Sequence, residues 1–60
     1  MTTEQKIAVI KMAAKAEGVN SINQKLIDKI YNDKEIYIEN TGIKENETDY
    51  FWDVRSFFIK

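Results

Sequence analysis

Apolar positions first recur between Ile7 and Ala16. At about 100° per residue, Glu4, Ala8, Lys11 and Lys15 share one narrow face, whereas Ile7, Val9, Ile10, Met12, Ala13, Ala14 and Ala16 spread over most of the remainder. This predicts a helix capped by Thr2 or Thr3, with Thr2 and Gln5 at capping-box spacing and Glu4 near the positive end of the dipole. It should run to about Glu17, because Gly18 is the usual left-handed residue just past a C-terminus. One packed neighbour covers roughly 100° of a helix surface, so an arc this wide calls for contact with more than one element. Small Ala13, Ala14 and Ala16 would let one of them come close.

Ser21 and Gln24 repeat the capping-box spacing and open a second helix, expected to end near Asn32. Ile22, Leu26, Ile27, Ile30 and Tyr31 form its apolar stripe, opposite Gln24, Lys25, Asp28, Lys29 and Asn32. The pattern then changes period. Lys34 to Glu39, KEIYIE, alternates charged and apolar groups over a β-rich run, which predicts a half-buried strand with Ile36 and Ile38 inward. Asn40-Thr41-Gly42 signals a turn, and Ile43 to Thr48 is a polar stretch with Glu45 and Glu47 expected in solvent.

Tyr50 to Ile59, YFWDVRSFFI, holds five of the seven aromatic residues and the single Trp, so the core should form on it. Two periods fit. As a helix capped by Thr48, it puts Asp49, Asp53, Ser56 and Lys60 on one polar face. As a strand, it puts Tyr50, Trp52, Val54 and Phe58 on one face and Phe51, Asp53, Arg55, Phe57 and Ile59 on the other. Residue preference favours the strand, and so does the need to pair the backbone of residues 35–39. The expected architecture is therefore α+β in the order ααββ, with two helices on a small antiparallel sheet. The alternative is an all-α three-helix domain with a C-terminal helix. Residues 1–60 form one domain in either case, with no internal repeat, linker or low-complexity tract.

Size adds a constraint. A chain of 60 residues buries only roughly 60% of the surface its unfolded state exposes. With no Cys there is no disulfide, and with no His a structural zinc site has few ligands, so good packing or a partner must supply stability. A homodimer is one such solution. The absence of Cys suits a reducing, cytoplasmic compartment. The apolar run Ile7 to Ile10 is too short for a signal peptide, and nothing approaches a membrane span. A small Lys-, Ile- and Asn-rich chain suits a bacterial or phage accessory protein.

Charge and side-chain chemistry narrow the function. Without His or Cys, the commonest general base, the thiol nucleophile and the soft metal ligands are missing. Neither Gly18 nor Gly42 lies in a phosphate-cradling pattern. A non-enzymatic protein without catalytic, cofactor-binding or metal residues is expected. The net charge is −1, but Asp33 to Asp53 carries seven acids against Lys34 and Lys44, a field complementary to a basic partner. On the strand reading, Phe51, Arg55, Phe57 and Ile59, ringed by Asp49 and Asp53, are left uncovered by two short helices, and aromatics with Arg dominate interface energies. These six are the candidate partner-binding residues. The leading expectation is an inhibitor, adaptor or regulator that binds another protein. Ala14-Lys15-Ala16-Glu17-Gly18-Val19 before a capped helix also resembles the turn of a helix-turn-helix. That resemblance implies a DNA-binding regulator presenting Asn20, Ser21, Asn23, Gln24 and Lys25 to base edges. The negative net charge places it second.

Overall fold

The computed structural model describes residues 1–19 and 21–59. Three helices account for its regular structure: α1 (Thr3–Ala16), α2 (Gln24–Thr41) and α3 (Glu47–Arg55). Among the described residues there is no strand, so the α+β, ααββ architecture is corrected to the all-α three-helix alternative.

The first helix forms as its sequence dictates. Thr2 Oγ1 accepts the Gln5 N–H at 3.1 Å, and Gln5 Oε1 accepts the Thr2 N–H at 2.8 Å, the reciprocal capping box. At the other end Gly18 adopts φ +80°, the Gly18 N–H donates to Lys15 O, and the Val19 N–H donates to Ala14 O at 2.9 Å. These two bonds satisfy carbonyls that the helix end would otherwise orphan.

The second helix departs from expectation at both ends. Its cap is Asn23, whose Oδ1 accepts the Leu26 N–H at 2.8 Å, rather than Ser21. It does not stop near Asn32, nor does residue 34 begin a strand; it continues to Thr41, where Gly42 turns left-handed at φ +68°. The reason lies in one position. Ile27, Ile30, Tyr31, Lys34 and Ile38 make a continuous inward stripe at helical spacing, but its fourth member is a lysine, which breaks the pattern when apolar residues alone are followed. Of the two isoleucines expected to point inward from a strand, Ile38 is half-buried at the core margin and Ile36 is exposed.

With residues 34–39 helical, the terminal segment has no strand to pair with, and the helical period prevails. Asn46, not Thr48, caps α3 by accepting the Asp49 N–H at 2.8 Å, and Glu47 and Asp49 sit in the first turn, where the dipole favours acids. Tyr50 and Val54, four apart, are fully buried. Beyond Arg55 the chain tightens into i to i−3 bonds from the N–H groups of Ser56, Phe57 and Phe58.

The core is Val9, Ile10 and Ala13 of α1, Ile27 and Ile30 of α2, and Tyr50 and Val54 of α3, with Ile7, Ile22, Tyr31, Ile38, Phe51 and Phe58 around it. Helix α1 packs most closely on α3 and next on α2, as its wide apolar arc requires, while α2 and α3 approach each other least.

Candidate functional site

Between α2 and α3, the two helices that approach each other least, lies an open region built around a buried lysine. Lys34 occupies a core-facing position of α2, and its side chain is only 3% exposed. Its ammonium lies 5.3 Å from the Tyr50 ring centre and 4.9 Å from that of Tyr37. It donates to Glu45 Oε1 at 2.6 Å and to Asp53 Oδ2 at 3.0 Å. The reversal at Gly42 brings Glu45 there; its side chain is also 3% exposed, which corrects the expectation that Glu45 lies in solvent. A buried ammonium is tolerated only when matched by partners of this kind.

The titration of these groups follows from the geometry. Burial alone would lower the Lys34 pKa, but the hydrogen bonds and charges of Glu45 and Asp53 together outweigh it and raise it above its ordinary value. The hydrogen bond from Lys34 holds the Asp53 carboxyl below the usual carboxylate range, against a smaller opposing effect of burial. Burial pushes the Tyr50 phenol up, helped by the nearby Glu35, Tyr31 and Glu45. At neutral pH, Lys34 and Asp53 are therefore fixed charges rather than groups poised to exchange protons.

Outside this ion cluster runs a cleft of about 390 Å³, lined by Asp33, Lys34, Tyr37, Asp53, Ser56 and Phe57. A second hollow of about 180 Å³ shares Asp33 and Phe57 with it and adds Leu26, Lys29, Ile30 and Phe58. The two make one groove between α2 and the C-terminal turn. Tyr37 and Phe57 are each 47% exposed, and Asp33 makes no ion pair among the described residues.

A different cluster covers the junction of α1 and α3. Arg55 pairs with Glu17, and its guanidinium lies 4.7 Å from the Trp52 ring centre and 5.6 Å from that of Phe51. Phe51 and Trp52 meet edge to face at 5.9 Å and 79°. Trp52 is 59% exposed, whereas the strand reading had placed it on the core side.

The six candidate partner-binding residues thus do not share a face. Phe51 and Arg55 belong to the α1–α3 junction, Asp53 and Phe57 to the α2–α3 cleft, Asp49 lies exposed in the first turn of α3, and Ile59 is exposed beyond that helix. Asp33 and Tyr37 went unnoticed as site residues. They stand four apart on α2, a spacing that brings side chains together only if the helix passes Asn32.

For the helix-turn-helix resemblance, Ser21, Asn23, Gln24 and Lys25 are exposed, and Asn20 lies outside the described residues. The connection from Glu17 to Asn23 is seven residues, longer than the three or four of that motif. Among the described residues no helix is long and apolar enough to cross a membrane, and no group of three or more acidic side chains could hold a metal ion. No family model, curated protein or solved structure matches the chain.

Proposed function

We propose that this chain is a small non-enzymatic accessory protein that acts as an inhibitor, adaptor or regulator by binding another protein, and that the groove between α2 and the C-terminal turn is where it binds. One observation carries the reading: Leu26, Tyr37 and Phe57, large and exposed, wall a groove that the domain's own helices leave open. Apolar side chains gathered in a concave surface with a few polar groups among them are the usual form of a peptide-binding site. The fixed charges of Lys34 and Asp53 give no proton-transfer chemistry to that groove, which supports binding over catalysis.

The test is selection from a displayed peptide library, with backbone amide shifts used to map the winners. Peptides that perturb residues 26–37 and 53–58, and that bind at least about tenfold more weakly to Tyr37→Ala or Phe57→Ala, are expected. Shifts confined to residues 21–25 with duplex DNA at low salt would favour a nucleic-acid regulator instead. Light scattering on the free protein separates a groove filled by a second copy from one left open to other partners.

A further inference from the structure

We infer that the α2–α3 cleft receives an arginine side chain from a basic, amphipathic segment of the partner, an inference that rests on the protein-binding reading above. The charges of the cleft do not balance. Lys34 is matched by Glu45 and Asp53, Asp33 lines the same cleft from the α2 side and Lys29 lines the adjoining hollow, so across the groove three carboxylates stand against two ammonium groups and leave one net negative charge. Asp33 makes no ion pair among the described residues, and its carboxylate is the one open to a partner's cation.

The walls suit a cation as well as the charges do. Tyr37 and Phe57 are aromatic, and each is half-exposed at the cleft. Aromatic faces attract ammonium and guanidinium groups through their quadrupole. Tyr37 already serves in this way within the chain, since the Lys34 ammonium lies 4.9 Å from its ring centre. A planar guanidinium can stack on Phe57 while donating two bonds to Asp33, which a compact ammonium cannot do, so arginine fits better than lysine. The adjoining hollow, where Leu26, Ile30 and Phe58 lie beside Lys29, takes an apolar neighbour of that arginine, which makes the occupant amphipathic. The acid-rich segment from Asp33 to Asp53 would draw such a partner in from a distance.

The decisive probes are acetyl-arginine amide, its neutral isostere acetyl-citrulline amide, and acetyl-norleucine amide, titrated into the labelled protein and followed by chemical shift. Acetyl-arginine amide is expected to move the Tyr37 and Phe57 rings and the amides of residues 33 and 53. It should bind about fivefold or more tightly than the citrulline compound. That preference should vanish in Asp33→Asn, an exposed site outside the core whose replacement leaves the Lys34 cluster intact. Equal binding of arginine and citrulline, or no cleft shift from arginine, overturns the inference. If library peptides or norleucine still occupy the groove, the protein-binding reading stands without its basic partner. If neither does, both fall.

Discussion

The joint between α1 and α3 is made of Val9, Ile10, Ala13, Tyr50 and Val54, all buried, whereas the joint between α2 and α3 is made of a lysine and two carboxylates. The first is non-directional: small and branched side chains let the backbones approach until the space between them is filled. The second is directional, because Lys34 donates to Asp53 of α3 at 3.0 Å and to Glu45, just before that helix, at 2.6 Å, and such bonds hold only at fixed distances and angles. One joint gives a closed core and the other an open groove. The same 60 residues thus supply stability on one side of α3 and an accessible surface on the other.

The strongest way to break this contrast is to remove the lysine. Lys34→Met leaves Glu45 buried without its counter-charge, and breaking a buried pair costs about 3–5 kcal/mol. A domain of this size has a total stability of only about 3–9 kcal/mol. The single variant should therefore be largely unfolded in urea titration well below the wild-type midpoint. Lys34→Met combined with Glu45→Leu should recover most of the loss, since an apolar pair of similar volume often matches or exceeds a buried ion pair. A fully stable single variant would mean that the α2–α3 joint is not ionic in substance.

The opposite joint can be overfilled. Ala13 is fully buried, and Ala13→Leu forces extra volume into a close contact, at a cost of about 1–3 kcal/mol. For so small a domain each kcal/mol lowers the Tm by about 4–8 °C. Ala8→Leu, on the exposed face of the same helix, serves as the control and should leave the Tm nearly unchanged. If Ala13→Leu is equally silent, the two joints differ less in closeness than the packing implies.

These two joints were not equally legible in the sequence. The extent of α1 could be read from its residues, because the capping box of Thr2 and Gln5 and the stop at Gly18 are local chemistry, and its wide arc called for more than one neighbour, although Met12 and Ala16 of that arc are exposed. The second half of α2 could not, because the position that continues its inward stripe is Lys34, whose burial depends on Glu45 and Asp53, 11 and 19 residues away. Glu45 in turn sits in a polar run and gives no local sign of being inside. For α3 the helical period was visible, with Asp49, Asp53 and Ser56 on one side. The β preference of its aromatics and the need of residues 35–39 for a partner strand together outweighed that period. The lysine inside α2 therefore accounts for the first strand and for only part of the case for the second. Partner-binding residues were legible by type, as exposed aromatics near acids, but not by arrangement, since which of them share a surface depends on the helix.

A smaller effect sharpens the comparison without altering any apolar contact. The Asp53 pKa is lowered by its bond from Lys34, so the stability this bond contributes is fully present above the unfolded value near 3.8. It is lost as pH falls through the lower folded value. The Lys34 pKa is raised, so its contribution is complete below 10.5 and is lost as pH rises through the higher folded value. Asp53 is half-exposed, so solvent screening keeps its share to about 0.5 kcal/mol or less. Urea midpoints measured against pH should hand Asp53→Asn a shallower acid limb than the wild type, with the alkaline limb retained because Glu45 still pairs with Lys34. The core side chains of the α1–α3 joint other than the Tyr50 phenol do not titrate. An acid limb unchanged by Asp53→Asn would therefore reduce the α2–α3 joint to the single Lys34–Glu45 pair, with Asp53 as free as Asp33 to meet a partner's cation.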